Sequence, residues 1–198
     1  MNVLVVYCHP SSNSFTHAVK EAFVKGLLKA GHTCILSDLY AMGFDAVFSE
    51  REYLREAFYD ESKEVPADIL IEQEKIQRSD AIAFIYPDFW TEAPALLTGW
   101  FQRVWTYGYA YGGAERMKQL DKALLLVTMG GCLKEEIRKR QVEAMKTVML
   151  GDRMNGRART AEMVVFDEMA RSEGNHGRRE EKAPGFLEQA CRLGKEFF

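Results

Sequence analysis

The sequence predicts an α/β protein built on a doubly wound parallel sheet with helices on both faces. Short apolar runs, too brief for helices, alternate along the chain with segments whose apolar residues recur every three or four positions. Residues 2–38 already contain one strand, helix, strand unit, which is the crossover of a parallel sheet. The 198 residues are 47% apolar, enough for one full core. We therefore expect residues 1–198 to form a single domain.

The first crossover unit has the clearest local signals. Residues 2–7 are a continuous β-branched and apolar run, typical of a strand that is buried on both faces. A helix is predicted from Phe15, with Ser14 as its N-cap and Gly31 at the position where a helix C′ glycine belongs. Residues 33–38 return to strand character.

Residues 39–66 break this rhythm and are interpreted as an excursion with short helical pieces, not as a second domain. The later elements again alternate between helix and strand. They are predicted as a helix at 67–78 with Ile69, Leu70 and Ile76 on its inner face, a strand at 81–86, a helix at 94–105, a strand at 122–128, a helix at 133–150, a strand at 162–166 and a closing helix at 184–197.

Charge and composition exclude several classes of protein. The 26 Lys and Arg against 29 Asp and Glu leave a net charge of −3, which disfavours binding to nucleic acid or to an anionic membrane. No apolar run approaches the roughly 20 residues of a bilayer span, and the first residues lack a basic leader, so neither membrane insertion nor export is expected. The four cysteines are widely spread without a Cys-x-x-Cys pair. We expect reduced cytoplasmic thiols and no metal site.

Three loops are the candidates for a functional site, because ligands of such sheets bind beyond the carboxyl ends of the strands, where the strand order reverses. The loop at 8–14 brings hydroxyls and an amide to a helix N-terminus, a natural anion site, and His9 beside them can donate to a phosphate. The alternative is that these residues only cap the helix. The glycine fingerprints of a dinucleotide-binding Rossmann unit and of a P-loop are both absent from the sequence.

The second loop has two flat aromatic side chains, and the third has two glycines whose main chain is not covered by side chains. In the loop at 87–94, Phe89 and Trp90 lie between two prolines and suit the edge of a flat heterocycle, although they could simply cover the end of the sheet. In the loop at 128–132, Gly130 and Gly131 allow a ligand to approach the main chain, although a glycine pair is usually just a turn.

These loops belong to longer stretches that resemble the NAD(P)H:quinone oxidoreductase family. The resemblance covers roughly residues 2–131, and that family also includes azoreductases and an ancillary quinone reductase of potassium efflux systems. The matching stretches are Cys8-His9-Pro10 with Ser14-Phe15, Ser37 to Phe44, Pro87 to Val104, Gly108 to Gly112, and Thr128 with Gly130-Gly131.

The resemblance implies a flavodoxin-like fold with the strand order 2-1-3-4-5, a tightly bound flavin, and a homodimer with active sites at the subunit interface. It implies NADPH or NADH as electron donor and a quinone or similar small aromatic molecule as acceptor, with ping-pong transfer of two electrons. Whether the flavin is FMN or FAD stays open. Because the flavin carries the chemistry, no side chain is expected to be strictly required for catalysis.

The resemblance also implies roles for particular residues. Tyr109 and Tyr111 would reach the substrate pocket of the partner subunit, and His176, in a polar loop at 172–179, would lie near the active site. The implied cofactor-binding residues are His9, Ser14, Phe15, Thr16, Pro87, Asp88, Phe89, Trp90, Thr91, Thr128, Met129, Gly130 and Gly131.

One departure from the family bears on mechanism. The larger animal quinone reductases carry a Tyr and a His shortly after the glycine pair, where this sequence has Glu136 and Val142. We therefore expect main-chain donors of residues 128–131 to stabilise negative charge instead. Two other functions stay open: a flavodoxin-type electron carrier, disfavoured by a net charge of only −3, and a regulatory flavoprotein subunit of a membrane transporter. The aromatic stretch from Trp100 to Tyr111 is predicted to be a dimer surface.

Overall fold

The computed structural model describes residues 1–171 and 176–198, with only the backbone of residues 176 and 177. Strands and helices alternate along these ranges as expected for an α/β protein. In chain order the elements are β1 Asn2–Tyr7, α1 Phe15–Lys29, β2 Thr33–Asp38, α2 Glu50–Ala57, α3 Ala67–Gln77, β3 Ala81–Pro87, α4 Ala95–Val104, β4 Leu120–Thr128, α5 Glu136–Lys146, a π-helical segment Thr147–Arg153, β5 Ala158–Phe166 and α6 His176–Lys195.

The five strands form one all-parallel sheet in the order β2-β1-β3-β4-β5, which confirms the predicted fold and strand order. Alternate residues of β1 enter the two cores on opposite faces of the sheet. Val3 and Val5 pack with α1 and α6, whereas Leu4 and Val6 pack with α3 and α4. This two-sided burial explains why β1 is apolar throughout. None of the helices in the described ranges combines the length and the apolar composition that a bilayer crossing demands.

Both ends of α1 match their sequence signals. The Ser14 hydroxyl accepts a hydrogen bond from the His17 N–H at 3.0 Å, so Ser14 is the N-cap. Gly31 has a φ of +78°, the left-handed conformation of a helix C′ residue. Only the loop at 8–14 separates the end of β1 from the start of α1, so the N-terminus of this helix lies at the carboxyl edge of the sheet.

The inner face of α3 differs from the prediction at one position. Ile69 and Ile76 are buried, but Leu70 is 51% exposed, and Glu72 lies inside instead. The Glu72 carboxylate accepts hydrogen bonds from the Trp100 indole N–H and from the Ser37 hydroxyl, each at 2.8 Å. A carboxylate with this many partners can be buried in the core, which a purely apolar pattern does not anticipate.

Several predicted boundaries differ from the structure. β5 begins at Ala158 instead of 162, because its exposed polar first half is held by pairing with β4. α6 begins at His176 instead of 184, and Pro184 lies inside this helix as an exposed residue. The helix predicted at 133–150 begins at Glu136 and continues as a π-helix from Thr147.

The aromatic stretch from Trp100 to Tyr111 packs mainly inside its own chain, contrary to the prediction of a dimer surface. Trp100 is fully buried, and Phe101, Trp105 and Tyr109 are each less than 10% exposed. The rings contact each other edge to face and pack with Phe84 of β3. These aromatic residues are therefore part of the core of the chain. The homodimer stays a prediction, and this stretch does not support it.

The excursion at 39–66 is tied to the rest of the fold by one buried arginine. Arg103 of α4 donates to Glu52 of α2 at 2.7 Å, to Asp68 of α3 at 2.7 Å and to the Asp45 carbonyl at 2.7 Å. A buried guanidinium with three acceptors from three segments fixes their relative positions. The excursion thus packs onto α3 and α4 and does not stand apart from them.

Candidate functional site

A cleft of about 450 Å³ opens beyond the carboxyl ends of the strands, where the strand order reverses between β1 and β3. Its walls come from all three predicted loops and from a fourth segment that follows β5. The lining residues are His9, Ser11, Ser14, Phe15, Thr16, Pro87, Asp88, Phe89, Thr128, Met129, Gly130, Met169, Ala170, Arg171 and Arg179.

The first wall is the N-terminus of α1. The first turn of this helix carries no acidic residue, so its free N–H groups and the positive end of its dipole face the cleft without competing negative charge. The Thr16 and Thr128 hydroxyls, 2.7 Å apart, join this wall to the end of β4. Arg171 adds a second contact, since its guanidinium donates to the Asn13 carbonyl. This end of the cleft is therefore suited to an anion.

His9 stands beside this wall and is partly buried. Burial lowers its pKa, and the positive charge of Arg171 lowers it further. His9 Nδ1 lies 2.9 Å from the Ser11 N–H and 3.1 Å from the Ser11 carbonyl, so this ring nitrogen is engaged by the main chain of Ser11. The role of His9 as a donor to a ligand stays a prediction.

The second wall is a tight turn after β3. Phe89 and Glu92 exchange two backbone hydrogen bonds of 3.0 Å, and the two residues between them, Trp90 and Thr91, have φ values of 56° and 69°. Positive φ at both central positions is the pattern of a type I′ turn, which is costly for a bulky or β-branched residue. The strained turn leaves Trp90 98% exposed and Phe89 45% exposed at the rim of the cleft.

The third wall combines the glycine turn after β4 with the segment after β5. The Met169 N–H donates to the Met129 carbonyl at 3.0 Å, and the Glu168 N–H donates to the Gly131 carbonyl at 2.9 Å. A Cβ at Gly130 would lie 3.3 Å from Ala170 Cβ, so a side chain at this position would crowd the neighbouring segment. The two segments thus run side by side along the cleft.

A group of ion pairs anchors this third wall to α6. Asp167 accepts from the Leu133 N–H at 2.8 Å and from Lys182 at 2.7 Å. Glu168 pairs with Lys182 and, at 2.9 Å, with Arg178. Hydrogen bonds from these two cations, Lys182 first, lower the pKa of Glu168 to about 2. Cys132 Sγ lies within 4.8 Å of ligand atoms of both acids, but every carboxylate oxygen already has a partner in these pairs.

A second cleft of about 490 Å³ adjoins the first and shares Asp88, Gly130 and Ala170 with it. Its other lining residues are Trp90, Thr91, Gly131, Cys132, Glu135, Arg138, Gln141 and Arg178. Asp88 Oδ1 is buried without a hydrogen-bond partner among the described residues, and burial raises the pKa of this carboxyl.

Comparison with known proteins agrees with this architecture. A family model described as flavodoxin-like fold matches residues 1–167. A solved NAD(P)H:quinone oxidoreductase from Methanothermobacter marburgensis is 39% identical, covers 100% of this chain and is itself covered to 99%, with a TM-score of 0.91. The chain belongs to the flavodoxin-like family of NAD(P)H:quinone oxidoreductases. The predicted resemblance is thereby confirmed.

Other members of this flavodoxin-like group are more distant or longer. NAD(P)H dehydrogenase [quinone] 1 of Cavia porcellus is 38% identical over 146 residues, which are 65% of this chain and 53% of the relative. Ribosyldihydronicotinamide dehydrogenase [quinone] of Rattus norvegicus is 36% identical over 65% of this chain and 63% of the relative. The chain thus matches about half to two thirds of the length of these curated relatives. An azoreductase from Bacillus anthracis, 19% identical with a TM-score of 0.78, shares the fold.

Within this flavodoxin-like fold, the residues predicted to hold the cofactor come together at one edge of the sheet. The first cleft contains His9, Ser14, Phe15, Thr16, Pro87, Asp88, Phe89, Thr128, Met129 and Gly130, and the second adds Trp90, Thr91 and Gly131. Sequence reasoning missed Met169, Ala170 and Arg171, whereas Arg179 belongs to the stretch 172–179 that was expected near the active site. The available signal was the end of β5, because the segment that follows a parallel strand must emerge at the same edge of the sheet.

Tyr109 and Tyr111, predicted for the substrate pocket, do not line either cleft of their own chain. Tyr109 donates to the Gln73 carbonyl at 3.1 Å and Tyr111 to Glu56 at 2.6 Å, and both line a separate cavity of about 510 Å³. Their placement in the pocket of a partner subunit stays a prediction. The backbone of His176 begins α6 and does not lie in a loop, and its side chain lies outside the described residues.

Proposed function

We propose that this chain is a flavin-dependent oxidoreductase that takes hydride from NADPH or NADH and passes two electrons to a quinone or a similar flat aromatic acceptor. One observation carries the proposal: the loops singled out in the sequence line a single cleft at the point where the strand order reverses. A solved quinone oxidoreductase that is 39% identical over nearly its whole length adds support.

The residues of the cleft fit a flavin in three respects. The N-terminus of α1, with His9 and Arg171, would hold the phosphate, because free N–H groups and the Arg171 cation meet there. Pro87, Phe89 and Met129 would bound the flat ring with apolar surface. The buried and unpartnered Asp88 Oδ1 supports a polar ligand group in this position.

A bound flavin would supply the two-electron chemistry, since it can accept a hydride and later pass on the electrons. The protein contributes position and access. Gly130 lets the ring approach the main chain of the β4 turn, and Trp90 presents exposed aromatic surface at the rim, where planar donor and acceptor can stack. Donor and acceptor that use the same rim cannot bind together, so ping-pong kinetics are expected.

The proposal also includes a homodimer in the cytoplasm. The exposed aromatic pair Phe89 and Trp90 at the rim is apolar surface that a second copy of the chain could cover. The four cysteines form no disulfide in the described parts of the chain, as is typical of a reducing compartment.

The decisive experiment is the absorption spectrum of the purified protein, followed by mass analysis of the released cofactor. We expect a yellow protein that contains FMN or FAD and loses its colour on anaerobic addition of NADPH or NADH. Addition of a quinone should then restore the colour. A colourless protein that takes up neither FMN nor FAD on reconstitution would overturn the proposed function.

A further inference from the structure

The second cleft contains two side chains of opposite charge that are incompletely satisfied. Asp88 Oδ1 and Arg138 Nε are both buried and have no hydrogen-bond partner within the described part of the chain. The two side chains also form no ion pair of 4 Å or less with each other in these ranges, although the charge of Arg138 lowers the pKa of Asp88 against the larger effect of burial. Buried polar atoms without partners call for an explanation, and a missing ligand is a direct one.

Arg138 is held in a defined orientation by its own helix. Its Nη1 donates to Gln141 at 2.8 Å, and its Nε lies 3.7 Å from the carboxylate of Glu135, too far for a hydrogen bond. The side chain is 37% exposed, so the guanidinium is partly desolvated but still reachable from the cleft. Nη1 is therefore used for positioning, Nε is buried, and the exposed part of the side chain borders the second cleft.

Gly131 brings this guanidinium against the turn after β4. A Cβ at Gly131 would lie 2.3 Å from Arg138 Nε and 2.9 Å from its Cζ, so a side chain at this position would have to displace the guanidinium. Gly131 thus allows two contacts. A ligand can approach its main chain, and the positively charged guanidinium of Arg138 can pack against the same turn.

The charges around Arg138 leave its positive charge incompletely neutralised. Glu135, the residue before α5, lies 3.7 Å from its Nε, and Asp88 lines the same cleft. Glu168, from the segment after β5, is already paired with Lys182 and Arg178. Burial also favours the neutral form of Asp88.

We propose that Arg138 supplies the positive charge that stabilises a carbonyl oxygen of the bound ligand as that oxygen gains negative charge on two-electron reduction. This inference rests on the proposed function and deepens it. It also changes the expectation drawn from the sequence, in which main-chain donors alone had this task. The oxygen could belong to the flavin ring or to the quinone acceptor, since both carry carbonyl groups that become more negative on reduction.

The test compares wild type with Arg138→Gln and Arg138→Lys, and with Arg140→Gln as a matched control. Arg140 lies on the same helix but is exposed and lines neither cleft. Two quantities are measured: the midpoint potential of the bound flavin without acceptor, and the rate at which a quinone reoxidises the reduced protein. Gly131→Ala serves as a second route, because its added Cβ must displace the guanidinium without removing it.

If the oxygen belongs to the flavin, Arg138→Gln should lower the midpoint potential by about 30 mV or more, which is a tenfold loss of preference for the reduced form. If it belongs to the acceptor, the potential should stay unchanged and reoxidation should slow at least tenfold. Arg138→Lys should recover part of the loss, Gly131→Ala should reproduce it, and Arg140→Gln should match wild type.

Two results would contradict the inference. The first is an Arg138→Gln variant that binds flavin, keeps its midpoint potential within about 10 mV of wild type and is reoxidised within about twofold of the wild-type rate. The second is an Arg140→Gln variant with an equal effect, which would reveal a general influence of charge. A wild-type protein that binds no flavin would instead overturn the proposed function, and this inference with it.

Discussion

Asp88 is a residue at which ligand binding and stability oppose each other. Its Oδ1 is buried without a partner among the described residues, and burial raises the pKa of the carboxyl above its ordinary 3.8. A folded-state pKa above the unfolded value means that the neutral acid is favoured in the fold, so this contribution to stability is lost as the pH rises through the folded-state pKa.

We expect Asp88→Asn to stabilise the flavin-free protein more at pH 7 than at pH 4, because the amide cannot ionise. Urea unfolding of both proteins at the two pH values measures this directly. The difference in unfolding free energy between variant and wild type should grow as the pH rises above 3.8. A difference in unfolding free energy that does not depend on pH would show that burial does not raise the pKa of this carboxyl.

Gly130 has a steric role in the cleft, not a conformational one. Its φ is not positive, so a side chain meets no left-handed backbone strain there. The obstacle to a side chain is Ala170, whose Cβ would lie 3.3 Å from an added Cβ.

We expect Gly130→Val to weaken flavin binding by more than about tenfold, or roughly 1.4 kcal/mol, because the branched side chain must enter the cleft or push Ala170 away. Quenching of flavin fluorescence measures the affinity. The control is Glu136→Ala, because Glu136 is exposed and pairs only with Lys139 at 3.1 Å in the described structure. This control should keep flavin reduction within about tenfold of wild type. If flavin reduction were instead a thousandfold slower in Glu136→Ala, the Glu136 side chain would have a role in stabilising charge.

At the scale of elements, the turn from Phe89 to Glu92 keeps two non-glycine residues at positive φ. Type I′ turns favour Asn-Gly at these central positions, so the native Trp90-Thr91 pair is strained. The double substitution Trp90→Asn with Thr91→Gly should therefore raise the unfolding free energy by about 1 kcal/mol. Since Trp90 is 98% exposed, little packing is lost.

The same double variant should bind quinone more weakly, because the aromatic surface at the rim is gone. Urea titrations and the KM for a quinone test the two halves of this prediction. Loss of stability together with unchanged KM would mean that the turn serves the fold and not the ligand.

α6 is attached to the cleft through Lys182, whose partners are two buried carboxylates. Lys182→Ala should lower the unfolding free energy by about 1–2 kcal/mol, reduced from the cost of breaking a fully buried pair because Lys182 is 33% exposed. The control Lys146→Ala breaks an exposed pair with Glu143 and should cost less than about 0.5 kcal/mol.

The effect of Lys182 should also depend on acidity. The pKa of Glu168 is lowered to about 2, so its contribution is present above the ordinary value of 4.5 and is lost as the pH falls toward 2. Thermal unfolding of Lys182→Ala and wild type should therefore converge in acid. If Lys182→Ala lost as much thermal stability at pH 3 as at pH 7, the ion pairs with Lys182 would be excluded as the cause.

At the scale of the whole molecule, the resemblance to the family and the exposed aromatic pair at the cleft rim favour a homodimer. Light scattering at micromolar concentration should report twice the mass of one 22.6 kDa chain. Trp90→Ser should weaken the dimer, whereas Tyr53→Ser, at an exposed aromatic residue that lines neither cleft, should not. A monomer at this concentration would refute the prediction.

The sequence alone determined the order of strands and helices, the caps of α1 and the three loops at the edge of the sheet. These features depend on local signals. β1 is apolar throughout because both faces are covered, Ser14 satisfies N–H groups of its own helix, and Gly31 adopts a φ that other residues disfavour. Loops that follow parallel strands must also meet at one edge, so the cleft followed from topology.

Only the tertiary structure decided which side chains are satisfied by distant partners. Glu72 could replace Leu70 inside the core because Trp100 and Ser37 donate to it, and the aromatic residues of α4 were absorbed because they pack with β3. Arg138 became a candidate for charge stabilisation only when its guanidinium was found against Gly131. Such contacts join residues that are distant along the chain or on separate elements, and no local pattern records them, because the free energy of a buried polar group depends on the partners that folding brings to it.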